Sequence, residues 1–183
     1  TVIHTADRLR HIPDIVFVIV GEAKALDALW QLCVEHQLEN VLLLPFQPRE
    51  QLPEMLAAAD VGLVMQKHNV VAFNMPSKIQ VLLASGRPII ASVPASGTAA
   101  RAIRQSGGGV VVEPEDPELL ATAIVDLYEN PTKTELFAQQ GRRYAVAQYS
   151  FEQALGRYED LFYEVAAAAD FPSKAVPKLN SEN

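Results

Sequence analysis

The sequence predicts an α/β fold of the Rossmann-like, doubly wound type, in which helices cover both faces of a parallel sheet. Short uncharged apolar runs, which are typical of buried strands, alternate with longer stretches of helical spacing from residue 14 to residue 128. This alternation favours right-handed crossovers between parallel strands. A length of 183 residues suits one domain with a substantial core.

The elements follow from these runs in order. Strands are predicted at 14–20 (containing IVFVIV), 41–45 (VLLLP), 61–65, 88–93 and 109–112. Helices are predicted at 1–11, 25–37, 49–59, 76–85, 98–105 and 117–128. The first strand ends at Gly21 and shows no polar alternation, so we expect it to be buried on both faces. Residues 66–75 form an irregular loop, longer than the usual connection from a strand to a helix.

The alternation stops near residue 132, where two helical stretches follow at 133–148 and 151–168. Ser150 with Gln153 three residues later predicts a capping box at the start of the second helix. We therefore expect a sheet domain over 1–130, C-terminal helices over 131–168 and a loose or docked tail over 169–183. The last helix carries an apolar stripe of Phe151, Leu155, Tyr158, Leu161 and Phe162, which would favour self-association if left uncovered.

Composition excludes several classes of function. The net charge is -7, the pI is near 5.1, and the basic residues are scattered, so no electrostatic footprint for nucleic acid is present. No apolar run is long enough to span a bilayer, and no leader pattern opens the chain. We expect a soluble cytoplasmic protein, and a sequence that opens within a helical pattern resembles an excised piece.

The cysteine and the histidines do not point to chemistry. Cys33 is the single cysteine and lies in a helical pattern, so we expect it to pack in the core. His4, His11 and His36 have no metal-ligand spacing, and we predict no metal site and no cofactor.

Ligands of open α/β sheets bind beyond the carboxyl ends of the strands. The first such segment here is Gly21-Glu22-Ala23-Lys24. Its glycine is explained either by a tight strand-to-helix turn or by the close approach of a ligand to the backbone.

The second segment runs from Asn74 through Met75 to Lys78. Pro76 suits the first helical position, which would leave the N–H groups of Ser77, Lys78 and Ile79 pointing outward beside a lysine. This arrangement favours phosphate binding, whereas the alternative is a solvated surface lysine. The tail repeats the tripeptide at 172–174 without a helical pattern behind it, so Pro-Ser-Lys alone carries little meaning.

Two further segments have sequences that suit ligand binding less well. The SGGG run at 106–109 lies before a strand, at the edge away from ligands, so we expect a helix C-cap and turn rather than a phosphate cradle. His68, in the long loop, faces either a ligand or solvent.

Five segments together resemble a known family. They are FVIVGE at 17–22, NVLLLPFQPREQLPEMLAAADVGLV at 40–64, PSKIQVLLASGRPIIAS at 76–92, GGGVVVEPEDPELLATAI at 107–124 and GRRYAVAQYSFEQALGRYEDLF at 141–162. In order and spacing they resemble the C-terminal, donor-binding half of retaining GT-B glycosyltransferases of family 4, most of all the branch that makes bacterial exopolysaccharide of the colanic-acid type.

The resemblance implies a nucleotide-sugar donor, held without a metal and facing a cleft shared with an N-terminal acceptor-binding domain. The donor diphosphate would lie near Ser77 and Lys78, and its base beside Phe46 and Gln47. Gly21 and Glu22 match a turn that also faces the donor. Lys67 and His68 would close over it as a lid. The resemblance assigns no catalytic residue, and it implies a first strand and a whole domain that this sequence does not contain.

The sequence departs from the family at a pair of carboxylates. Val81 and Phe73 stand where many members place the two glutamates of a Glu-x7-Glu pair. Valine cannot hydrogen-bond a ribose. A non-catalytic nucleotide-binding or partner-docking module of the same fold is therefore the alternative function. A sugar-nucleotide epimerase is a third hypothesis, for which the expected carboxylates are missing.

Overall fold

The computed structural model of the protein describes residues 1–70 and 73–168, so the predictions for the tail lie outside the described residues. The strands are β1 (Phe17–Gly21), β2 (Val41–Pro45), β3 (Gly62–Met65), β4 (Ile89–Ser92) and β5 (Gly109–Val112). The helices are α1 (Val2–Leu9), α2 (Ala23–Glu35), α3 (Leu52–Ala58), α4 (Lys78–Ala84), α5 (Thr98–Ser106), α6 (Pro117–Glu129), α7 (Pro131–Tyr149) and α8 (Phe151–Ala168). A short 3-10 helix, Arg49–Gln51, precedes α3 and takes the first part of the helix predicted from residue 49.

All strands pair in parallel, which confirms the predicted α/β class. The described strands form two sheets, however, one of β1 and β2 and one in the order β3-β4-β5. The parallel strands are thus divided between β1 and β3. Phe17 of β1 and Leu63 of β3 still pack in one apolar cluster with Leu9 of α1 and Ala121 of α6, and these two helices contact each other.

The two sheets differ in burial. Every residue of β4 is buried, and Ile89 and Ile90 have no exposed surface. In β1 the prediction of burial on both faces is wrong, because Val18 is 56% exposed while its neighbour Phe17 is buried. On α2, Cys33 is buried as predicted, but Trp30 and Val34 are exposed. Helix α2 contacts β2, but Val18, Trp30 and Val34 stay exposed, so apolar spacing alone does not produce burial.

Glycine turns connect the elements of the three-stranded sheet. Gly107 ends α5 with φ 59°, and its N–H donates to the carbonyl of Arg104, so the predicted C-cap is confirmed. A Cβ on Gly108 would lie 2.9 Å from Cα of Gly141, so α7 approaches this turn closely. Arg142 also donates to the carbonyl oxygen of Ala84 at the end of α4. The SGGG run is therefore structural.

The described residues divide into two compact units, with the boundary between Val146 and Ala147, inside α7. In the second unit Ser150 Oγ accepts from the N–H of Gln153 over 3.3 Å, so the predicted N-cap of α8 is present. Several large apolar side chains of α8 are exposed, and Tyr158 stacks on Phe162 with ring centroids 6.4 Å apart. The proposed division at residue 130 stays a prediction about domain organisation.

Within the part of the chain that the structure describes, no helix combines the length and the apolar character needed to cross a membrane.

Candidate functional site

The predicted donor-binding residues fall into two groups at the carboxyl ends of the strands. The first group belongs to the two-stranded sheet. Gly21 and Pro45 are partners in the parallel register, so Glu22 and Phe46 leave the sheet side by side. Phe46 is 67% exposed, and Gln47 donates from Nε2 to the carbonyl oxygen of Pro45 over 2.8 Å. An exposed aromatic ring beside a fixed amide provides a surface on which a base can stack.

Gly21 has room for a side chain. A Cβ built there would meet only the Leu26 side chain, at 3.6 Å, and its φ is not positive. The tight-turn explanation therefore does not require glycine at this position, and the explanation by close approach of a ligand remains. Glu22 is the N-cap residue of α2, its carbonyl accepts from the N–H groups of Ala25 and Leu26, and its side chain is exposed.

The second group belongs to the three-stranded sheet and includes the loop after β3 and the start of α4. Met75 and Pro76 are partly buried, whereas Ser77 and Lys78 are exposed. Helix α4 begins at Lys78 and not at Pro76 as predicted. The N–H of Ile79 donates to the carbonyl of Pro76 over 3.1 Å, so the prediction that this group points freely outward is wrong. The backbone N–H of Ile79 is thus used in a turn at Pro76. The backbone N–H groups of Ser77 and Lys78 form no hydrogen bond among the described residues.

Helix α4 is anchored by its apolar face, because Ile79 and Leu83 have no exposed surface and Leu82 is buried. The ammonium of Lys78 forms no ion pair with the described residues. A cation at a helix N-terminus is favourable when an anion binds there. The geometry is compatible both with an anion site and with a solvated lysine.

The loop after β3 is held at two points. Gln66 donates from Nε2 to the carbonyl of Asn74 over 3.3 Å, which closes the base of the loop. The N–H of His68 donates to Oε2 of Glu115 over 3.1 Å. The side chains of Lys67 and His68 are exposed. Glu115 was not among the predicted site residues, and the only indication of it in the sequence is an acidic Glu-Pro-Glu-Asp segment at a strand's carboxyl end.

The structure brings the residues together within each group but not directly between them. Among the described residues no hydrogen bond or ion pair joins Gly21, Glu22, Phe46 or Gln47 to Ser77 or Lys78.

The positions of the missing carboxylate pair are open to solvent. Phe73 is 80% exposed and Val81 is 40% exposed. Neither residue is needed to fill the core, so the absence of glutamate there is not explained by packing.

Other features of the described residues do not add a reactive group. Burial raises the pKa of the Cys33 thiol, which disfavours the reactive thiolate. No group of three or more histidine, cysteine, aspartate or glutamate side chains is placed to hold a metal within residues 1–70 and 73–168.

A cavity of about 390 Å³ opens at the amino ends of β3 and β4, opposite the predicted site. Arg87 and Arg142 line it, and each donates to a backbone carbonyl, of Ala59 and Ala84 respectively. The two guanidinium groups thus hold the turn around Gly86, and we assign the cavity to packing of α7.

Comparison with known proteins decides the family. Residues 1–130 match the sequence model of the family described as Glycosyl transferases group 1. The chain belongs to this family.

Similar curated proteins are also glycosyltransferases by name. WcaI of Escherichia coli (strain K12), which is named for glycosyl transfer in colanic acid biosynthesis, is 33% identical over 124 residues, which are 67% of this chain and 30% of that protein. The GDP-mannose-dependent alpha-(1-6)-phosphatidylinositol monomannoside mannosyltransferase of Mycolicibacterium smegmatis (strain ATCC 700084 / mc(2)155) is 26% identical over 156 residues, 83% of this chain and 40% of that protein. The chain thus spans less than half the length of these relatives.

Solved structures share the fold. Sucrose-phosphate synthase from Thermosynechococcus elongatus matches with a TM-score of 0.74 and 22% identity, over 91% of this chain and 42% of that one. Anabaena HepE, solved in complex with UDP, matches with a TM-score of 0.72 and 21% identity, over 88% of this chain and 44% of that one. The Rossmann-like α/β architecture predicted from the sequence is therefore confirmed.

Proposed function

We propose that this chain is the donor-binding part of a longer glycosyltransferase, and that it binds a nucleotide-sugar through its nucleoside diphosphate. Membership of the group 1 family is the observation that carries the proposal. HepE, a protein of the same fold, was solved with UDP. Transfer of a glycosyl group requires stabilisation of a departing diphosphate, which backbone N–H groups and a lysine supply.

The proposed donor lies across the carboxyl ends of both sheets. Its diphosphate faces the exposed residues Ser77 and Lys78, whose backbone N–H groups form no hydrogen bond among the described residues and, with the Lys78 ammonium, can donate to phosphate oxygens. Its base lies against the exposed ring of Phe46. Gly21 lets the donor approach the backbone, and Lys67 and His68 lie in the loop that covers it.

The site is tested by titrating the 183-residue chain with UDP, GDP and ADP by NMR. We expect weak binding, and we expect Lys78→Ala to lower the affinity about tenfold, because it removes a charge-assisted contact to phosphate. Lys174→Ala, in the second Pro-Ser-Lys of the sequence, is the matched control and should leave the affinity unchanged. Absence of binding at millimolar nucleotide, or equal affinity of Lys78→Ala and the unchanged chain, would contradict the assignment.

The same titration addresses the base and the metal. One relative is named for GDP-mannose and one fold neighbour was solved with UDP. The nucleotide that binds most tightly in the titration therefore identifies the base of the donor. We propose that binding requires no divalent cation. Affinities measured with Mg²⁺ and with a chelator should then agree, and a strong dependence on Mg²⁺ would refute this part.

We further propose family 4 and an exopolysaccharide or related glycoconjugate as the product, supported by the similarity to WcaI. The protein would act in the cytoplasm or at the membrane periphery, with an acceptor-binding domain N-terminal to this chain. Assays of the full-length protein with radiolabelled nucleotide-sugars test this. The 183-residue chain alone should transfer no sugar, because in this proposal the acceptor binds to the N-terminal domain.

A non-catalytic nucleotide-binding module is the second candidate, and the exposed Phe73 and Val81 favour it. Transfer activity in the full-length protein would exclude it. If the full-length protein is inactive, Phe73→Glu with Val81→Glu should raise nucleotide affinity, since both positions are open enough to hold carboxylates near a ribose.

The chain by itself should self-associate through α8. Phe151 and Phe162 are 76% and 68% exposed, and in the longer protein we expect this stripe to face the acceptor domain. Light scattering should report dimers or larger species that Phe151→Ser with Phe162→Ser reduces. Trp30→Ser, at another exposed apolar site, is the control. A monomer at high concentration would contradict the prediction.

A further inference from the structure

The carboxylate of Glu115 connects two loops that are not neighbours in the sheet. It accepts a hydrogen bond from the backbone N–H of His68, 47 residues earlier, over 3.1 Å. His68 follows β3 and Glu115 follows β5, and β4 lies between these strands. The hydrogen bond therefore crosses the carboxyl end of β4.

The backbone of Glu115 is held in an unfavourable conformation. Its φ is 61°, in the left-handed region that glycine and asparagine adopt most easily. The residues on both sides fix this turn, because Pro114 is fully buried and Asp116 caps α6 by accepting from the N–H groups of Glu118 and Leu119 at 2.9 Å. Glycine or asparagine would adopt this left-handed conformation at a lower energetic cost. We therefore explain the glutamate at this position by the hydrogen bond that its side chain accepts.

The loop that Glu115 contacts is also fixed at its base. The N–H of Gln66 donates to the carbonyl of Ser92 over 2.9 Å, and its side chain donates to the carbonyl of Asn74. The N–H of Val70 donates to the carbonyl of Lys67 over 3.2 Å, which makes a turn. Residues 66–70 thus form a turn held at its base by Gln66 and near its tip by Glu115, with the Lys67 and His68 side chains exposed.

We propose that Glu115 is a positioning residue, which holds this turn across the end of β4 so that Lys67 and His68 stand over the nucleotide-binding edge. The inference rests on the proposed function for the identity of the ligand. Glu115 acts through the backbone of His68 and does not itself contact the donor.

The first test measures the hydrogen bond without any ligand. Glu115→Asn suits the left-handed turn but is one methylene too short to reach His68, whereas Glu115→Gln keeps the length and an acceptor oxygen. We expect the His68 amide to exchange with solvent about fivefold faster in Glu115→Asn and within about twofold of the unchanged chain in Glu115→Gln. The thermal midpoint of Glu115→Asn should be equal or higher, because the turn is relieved. Unchanged exchange of the His68 amide in Glu115→Asn would overturn the proposal, and a lowered midpoint would contradict the argument that asparagine suits this turn better than glutamate.

The second test measures the consequence for binding. Titration with UDP and GDP should give a several-fold higher Kd for Glu115→Asn and an unchanged Kd for Glu115→Gln. Equal Kd values for Glu115→Asn and a binding-competent unchanged chain would overturn the positioning role alone. If the unchanged chain binds no nucleotide, the proposed function fails, and with it the role towards a donor, while the exchange measurement still decides whether Glu115 holds the loop.

Discussion

The three-stranded sheet is covered far better than the two-stranded sheet, although both are built from uncharged apolar runs. Val64 of β3 and Ile90 of β4 have no exposed surface, whereas Val18 of β1 and Leu42 of β2 are 56% and 47% exposed. Val18 and Leu42 are partners in the register, so their exposure belongs to one continuous face. An apolar run thus specifies a strand, but the burial of that strand depends on the elements that come to cover it.

Glycines in the two sheets provide the most sensitive test of this difference in packing. A Cβ on Gly109 of β5 would clash with the carbonyl oxygen of Ile89, on backbone that cannot move without disrupting β4. We expect Gly109→Ala to lower the free energy of unfolding by about 3 kcal/mol or more, as overpacking against backbone does. Urea denaturation with circular dichroism measures this.

Gly21→Ala is the matched substitution in β1, where the added Cβ meets only a side chain at ordinary contact distance. Its unfolding midpoint should be close to that of the unchanged chain. If a donor approaches the backbone at Gly21, nucleotide affinity should nevertheless fall several-fold. Equal destabilisation by Gly109→Ala and Gly21→Ala would contradict the difference in packing between the two sheets. An unchanged nucleotide affinity of Gly21→Ala would show that Gly21 is not part of the site.

Valines on the two sheets provide a second test with identical chemistry. Val64→Ala removes two fully buried methyl groups and should cost about 2 kcal/mol in the free energy of unfolding. Val18→Ala removes the same groups from a half-exposed face and should cost less than about 0.5 kcal/mol. Similar costs in parallel urea titrations would mean that the outer face of β1 is covered in solution.

The smallest expected effect concerns a link between the two regions. Tyr128 of α6 donates from its hydroxyl to the Asp14 carboxylate over 2.8 Å, just before β1, and this bond and the nearby negative charge raise the pKa of Tyr128. A raised folded-state pKa means that the stabilisation is complete below the usual tyrosine pKa near 10 and is lost as the pH rises through the folded-state value.

Tyr128→Phe should therefore lower the thermal midpoint slightly at neutral pH, and the difference should shrink above about pH 10. Tyr163→Phe, at an exposed tyrosine of α8, serves as the control. If the difference in thermal midpoint between Tyr128→Phe and the unchanged chain persists at high pH, the hydrogen bond from the Tyr128 hydroxyl is not the cause of that difference.

Much of the fold was predictable because its determinants are local. β2 and β5 have the predicted bounds, since proline and glycine delimit their apolar runs. The left-handed turn at Gly107 was likewise predictable, because glycine is the residue that favours it.

The failures share a non-local cause. The exposure of Val18 depends on which helices reach β1, and no local pattern contains that information. Helix α4 starts late because the N–H of Ile79 donates to the carbonyl of Pro76. This hydrogen bond changes the N-terminus of the helix but not its apolar face. Glu115 escaped prediction because its partner lies 47 residues away and its positive φ contradicts its residue type. The predicted donor residues follow the general rule for parallel strands, and their roles await the titrations.

The division between β1 and β3 has a consequence for handling the protein. Among the described residues β1 pairs only with β2, and β3 only with β4, so each strand has one free edge of N–H and C=O groups. The sequences FVIVG and GLVM contain no charge and no proline, the features that usually protect such edges from intermolecular pairing. An added strand from a neighbouring molecule would satisfy either edge. We expect β-rich aggregates to grow from these edges when the chain is concentrated or warmed.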